Sequence, residues 1–111
     1  YLEWLREQAG RHAARVAGSM ADAGYGDQPI AAAEKMLRKE GSKRDPDVQA
    51  LEDVICFVFC RWYLPPFAAA RGPAELLDIV QKTARKMSAE GRARALAEFD
   101  LPADLAAALR V

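Results

Sequence analysis

The chain has 111 residues, 51% of them hydrophobic, with 16 Lys plus Arg against 16 Asp plus Glu. That is the size of one domain with no net field to draw a polyanion or an anionic membrane, so neither nucleic acid nor membrane is an expected partner. The one basic cluster, residues 35–44, is interrupted by Glu40 and followed by Asp45. The longest apolar run, residues 54–59, is far short of the roughly 20 residues a spanning helix needs. No signal peptide is legible.

Residues 1–23 repeat apolar side chains at helical spacing (Leu2, Leu5, Ala9, Ala13, Val16, Met20), with Glu3, Glu7, Arg11, Arg15 and Asp22 opposite. An amphipathic helix of about six turns follows from that pattern. Trp4 falls among the charged positions, so a cover for its indole is expected from elsewhere. Gly24-Tyr25-Gly26 should end this helix, and Asp27-Gln28-Pro29 should open a second. The second is expected to bury Ile30, Ala33 and Leu37 and to stop at Gly41.

Asp45-Pro46-Asp47 supplies a capping oxygen, a proline at the first helical position and an acid near the positive end of the dipole. The helix that follows, residues 45–64, carries Leu51, Val54, Ile55, Phe57, Val58, Phe59, Trp62 and Tyr63, too many apolar groups for one face. The expectation is a core helix enclosed by its neighbours and ended by Pro65-Pro66. One irregular turn then leads to an amphipathic helix over residues 73–87, a short helix capped by Ser88 and running to about Glu98, and an alanine-rich last helix, Ala103 to Leu109. No strand-like alternation or internal repeat appears. The fold class is therefore all-α, a single domain of about five to six helices without a sheet.

Few residues offer chemistry. His12, the only histidine, lies at the edge of the first apolar stripe, where partial burial is expected; it could ligate a metal or serve as a packed structural residue. Glu52-Asp53 places an acidic pair inside the greasy helix. Adjacent helical residues point about 100° apart, so one carboxylate should turn inward, and Asp53 is the choice because it shares a face with Cys56, Phe57 and Cys60. A buried carboxylate needs a partner, whether metal, histidine or arginine. Cys56 and Cys60, one turn apart, cannot easily bridge, lack the spacing of a structural zinc site and read as reduced thiols filling a core face, which suits a cytoplasmic setting. No nucleophile motif, phosphate-cradling loop or nucleotide fingerprint is present, and the residues themselves do not identify a catalytic group.

Four stretches carry a family likeness: Gly24-Tyr25-Gly26, Leu37-Arg38-Lys39, residues 43–54 (Lys-Arg-Asp-Pro-Asp-Val-Gln-Ala-Leu-Glu-Asp-Val) and residues 78–88, which end in Lys-Thr-Ala-Arg-Lys-Met-Ser. Together they resemble the domain of unknown function 4202 family over nearly the whole chain. That family looks like a divergent relative of the HD superfamily, helical proteins that often hold a divalent metal with histidines and aspartates and hydrolyse phosphate esters. The resemblance implies an HD-like orthogonal bundle, with His12 and Asp53 as ligands of a divalent ion and a nucleotide or other small phosphate-containing substrate. It also implies that an upstream segment bearing a further histidine belongs to the parent protein and is absent here, so that a metal-dependent phosphohydrolase would be incomplete in this piece. That segment, or a second copy of the chain, would cover Trp4. The alternative is a non-catalytic helical module for protein interaction or self-association, using the face around Trp4 and the apolar edge of the first helix.

Overall fold

The computed structural model describes residues 1–41 and 43–110, and these are helical with no strand among them. The helices are α1 (Leu2–Asp22), α2 (Asp27–Leu37), α3 (Pro46–Val58), α4 (Leu64–Ala69), α5 (Pro73–Lys86), α6 (Ala89–Glu98) and α7 (Ala103–Leu109). A single π-helical turn, Phe59–Tyr63, joins α3 to α4 without a break, which makes six rods among the described residues. The all-α reading holds. Two compact units divide the chain, Tyr1–Val48 and Gln49–Val111. No described helix is long and apolar enough to cross a membrane.

In the first unit α2 packs back on α1. The turn between them is a Schellman motif. Gly24 takes φ +90°, its N–H bonds Ala21 O, and Tyr25 N–H bonds Met20 O, which satisfies carbonyls the helix end would leave open. The pair encloses little. Ala13 is the one fully buried residue of the α1–α2 pair, a small side chain that lets the rods approach, while Ile30, Ala33 and Leu37 are half-buried rather than enclosed as expected. Helix α2 ends at Leu37, earlier than Gly41, because the same motif recurs with Lys39 in the left-handed position at φ 57°. Lys39 N–H bonds Met36 O and Glu40 N–H bonds Lys35 O.

The second unit has the larger core, built from Cys56, Leu64, Leu76, Val80, Ala84, Met87, Ala95, Leu105, Ala108 and Leu109. Met87 and Leu109 are among the largest fully buried side chains, each contributing at most about 1.5–3 kcal/mol of burial. Phe57 and Phe99 meet edge to face at 5.6 Å, and Phe59 and Phe67 at 5.9 Å. The guanidinium of Arg71 lies 4.0 Å from the Phe67 ring centre.

Two expectations for the central rod need correction. The rod is not enclosed: Val54, Ile55, Val58, Trp62 and Tyr63 are all exposed, Trp62 at 62% and Tyr63 at 61%. An apolar count larger than one face shows only that some of the residues must lie outside the buried stripe. Nor does Pro65-Pro66 stop the rod. In a regular helix their rings would crowd the carbonyls four residues back, on Arg61 and Trp62, and offer no N–H to bond them. The backbone widens instead, with Leu64 N–H reaching Phe59 O five residues earlier, and the prolines then occupy the first turn of α4, where missing donors cost nothing.

Candidate functional site

Asp45 and Asp53 do different work on α3. At the helix start, Asp45 Oδ1 accepts from Asp47 N–H at 2.9 Å and Oδ2 accepts from Lys35 Nζ at 2.8 Å, so the expected cap is in place. The Lys35 hydrogen bond holds the Asp45 carboxyl below the usual carboxylate range, and the same bond raises the lysine.

Asp53 sits farther along, at the junction between α5 and α6. Its Oδ1 accepts from Ser88 N–H at 2.8 Å and from Gln49 Nε2 at 3.2 Å, and its Oδ2 accepts from Ser88 Oγ at 2.5 Å. Ser88 Oγ in turn accepts from Gly91 N–H at 2.9 Å, the N-cap bond anticipated for α6. A carboxylate therefore lies at the positive end of α6, beside a cap that it orients. The carboxylate lies so close to Gly91 that a Cβ at that position would fall 2.7–2.9 Å from its atoms. The last carbonyls of α5 are covered from both sides of the junction. Gln49 Nε2 donates to Lys86 O at 2.9 Å, and Arg92 Nη1 donates to Met87 O at 2.9 Å and to Ala84 O at 3.3 Å.

The acidic pair is shared out differently from the expectation. Glu52 is the more deeply buried, at 6% exposure, and Asp53 is half-buried because it reaches the α6 start. His12, expected to be partly buried, is exposed on α1 in the first unit, while Asp53 belongs to the second. The histidine position leaves the stripe because Ala13, not His12, marks the line along which α2 packs. Among the described residues no group of three or more His, Cys, Asp or Glu side chains converges as a cation would need.

Cys56 and Cys60 are buried free thiols on one face, as expected. Burial, aided by the nearby Glu52 charge, pushes the Cys56 thiol up to about 11, and burial raises Cys60 as well. These are packing groups, far from the thiolate character of a reactive cysteine. Trp4 stands 55% exposed and stacks on Tyr1, the residue just before α1, with ring centres 6.4 Å apart; among the described residues no other aromatic ring stacks on it.

Each unit also carries a cleft of about 520 Å3. In the second unit Leu64, Ala68, Phe99 and Leu105 line it, with Arg61, Glu98 and Asp100 beside them. In the first it runs between α1 and the segment after α2. The residues that sequence reading missed are those of the α5–α6 junction, Gln49, Gly91 and Arg92, and those of the first unit's cleft. The one advance signal for the junction is Ser88 itself, a capping residue placed just before the short helix.

Fold and site together define an all-α protein whose polar constellation is a helix junction and whose central rod leaves an apolar face in solvent. The chain belongs to the domain of unknown function family DUF4202, whose model matches residues 1–109. No curated protein and no solved structure matches it.

Proposed function

We propose that this domain is a non-catalytic helical association module that pairs with a second copy of itself through the exposed face of α3 and the π turn. One observation carries the reading: Val54, Ile55, Val58, Trp62 and Tyr63 form a run of exposed apolar side chains along a single rod. Contiguous apolar surface of this kind marks interaction sites, and an aromatic anchor such as Trp62 is typical of their centres. The face suits a symmetric contact. Its five side chains carry no charge, and the chain has no net charge to push two copies apart. Tyr1, Leu2 and Trp4 offer a second exposed apolar edge on α1.

The rival reading, an HD-type metal-dependent phosphohydrolase with His12 and Asp53 as ligands, draws on resemblance alone. Both oxygens of Asp53 are engaged by the junction. Light scattering of the purified chain over a wide concentration range tests the proposal. The expected result is a dimer that Val58→Glu and Trp62→Glu each convert to a monomer with unchanged helical circular dichroism. A wild-type chain that stays monomeric throughout overturns it. A thermal midpoint raised by Mn2+, Mg2+, Fe2+ or Zn2+, with the rise lost in Asp53→Asn, would favour the hydrolase instead.

A further inference from the structure

The first unit's cleft, about 520 Å3, is lined by Leu5, Arg6 and Ala9 from α1 and by Arg38, Lys39 and Glu40 after α2. That volume is in the range of small-molecule sites. Three cations share it with one carboxylate. Arg6 has no ion pair among the described residues, and Arg38 reaches Glu34 only at 3.6 Å in an exposed pair, so the two guanidinium groups retain donors for a ligand. Leu5 and Ala9 supply an apolar floor.

Lys39 adds a separate observation. It occupies the left-handed position that closes the α2 Schellman motif, at φ 57°, where glycine is the residue ordinarily found and a lysine Cβ is crowded. Two residues on, Gly41 takes φ 73° without that penalty. A side chain kept in a disfavoured backbone conformation on a cleft wall is the kind of local cost that ligand sites retain.

We propose that this cleft binds a small organic oxyanion, a carboxylate or phosphate held by Arg6, Arg38 and Lys39 with its apolar stem against Leu5 and Ala9. Guanidinium forks suit the paired oxygens of either group, and the ammonium contributes a point charge. The floor selects anions that carry carbon over inorganic ones. Nothing in this proposal depends on self-association through α3.

Amide NMR spectra of the full chain titrated with benzoate, phenyl phosphate and uncharged benzyl alcohol provide the test. Saturable shifts concentrated at residues 5–9 and 38–40 are expected with at least one anion and not with benzyl alcohol; which anion binds tighter tells carboxylate from phosphate. Arg6→Gln, at an exposed position that leaves the fold intact, should weaken binding about tenfold. The same titration of Trp62→Glu should give the same shifts, which separates ligand binding from any change in association. No saturable shift with either anion, equal response to benzyl alcohol, shifts spread over every basic segment, or unchanged affinity in Arg6→Gln each overturns the proposal.

Discussion

Asp53 and Ser88, 35 residues apart in sequence, are joined twice: Ser88 N–H donates to Asp53 Oδ1 at 2.8 Å and Ser88 Oγ to Oδ2 at 2.5 Å. One carboxylate thereby ties α3 to the start of α6 and satisfies donors that would otherwise be half-buried without partners. Hydrogen bonds to a charged acceptor are worth about 1.5–3 kcal/mol, and stranding their donors costs a similar amount. Asp53→Ala should therefore destabilise the chain by about 2 kcal/mol in urea unfolding. A neutral effect would show that water replaces the carboxylate without loss.

Gly91 is coupled to the same carboxylate. An added Cβ would lie 2.7 Å from Asp53 Cγ, closer than side-chain carbons normally come, and on the buried side of α6 there is little room to yield. Gly91→Ala gains helix propensity of up to about 1 kcal/mol, yet the clash should outweigh it and leave a net loss of about 1–2 kcal/mol. In the Asp53→Ala background the obstruction is gone. There the same substitution should be neutral or stabilising, and a double-mutant cycle that shows no such coupling would rule out the contact as the cause.

These couplings explain what could and could not be read ahead. Helix starts at Asp27, Pro46 and Pro73 and the cap at Ser88 are legible because start signals are local, a proline in the first turn or a capping side chain fixed by a few adjacent residues; Asp45 and Ser88 make the cap bonds, while α2 and α5 start from Gly26 and Gly72 without one. The free, buried thiols followed from their one-turn spacing. The exposed face of Val54, Ile55 and Val58 was not legible, since hydropathy states what a rod could bury and not which neighbours arrive to bury it. Pro65-Pro66 marked a real perturbation, but only the three-dimensional path distinguishes a stop from a widened turn. His12, expected at the edge of the stripe, lies one position before the packing line that Ala13 marks, and that is enough to leave it in solvent. Asp53 is expected to need a partner from among metal, histidine and arginine, whereas the groups that meet it are Gln49 and a serine 35 residues along the chain, a pairing with no local signature.

Lys39 provides a test of backbone cost. At φ 57° it holds a conformation that disfavours a non-glycine residue by about 1–2 kcal/mol. Because the surrounding Schellman bonds from Lys39 N–H and Glu40 N–H are made by the backbone, glycine can keep them. Glycine's extra freedom in the unfolded chain offsets part of the gain. Lys39→Gly should raise stability by roughly 0.5–1 kcal/mol, seen as a higher thermal midpoint, and a fall in midpoint would show that the lysine side chain stabilises the loop more than its conformation costs.

The Lys35–Asp45 pair gives the acid limb its sign. Asp45 has its carboxyl held below the ordinary range in the folded chain, first by the Lys35 hydrogen bond and then by Asp47 N–H. The folded state thus binds that proton less readily than the unfolded one, so its stabilising contribution is present above the unfolded pKa, roughly 3.9, and is lost as pH falls through the folded value. Carbon-13 titration of the Asp45 carboxyl should show a midpoint below that of an unstructured aspartate. In Lys35→Gln the midpoint should move upward, and a midpoint indifferent to that change would mean the pair does not persist in solution.

Cys56 sets the alkaline limb. Its thiol is pushed up to about 11 by burial, whereas in the unfolded chain it ionises near roughly 8.5. The folded state keeps the proton that the unfolded state releases, so stability is fully present below the unfolded pKa and declines as pH rises toward the folded value. Between about pH 9 and 11 the wild type should lose stability more steeply than Cys56→Ala, although the alanine chain, lacking the sulfur at a buried position, starts lower at neutral pH. Thiol labelling follows the same logic. At pH 8 both cysteines should react with iodoacetamide only as fast as the second unit opens, and added urea below the unfolding midpoint should accelerate the reaction. Rapid stoichiometric labelling of Cys56 in native buffer would place that thiol at the surface and remove the packing role assigned to it.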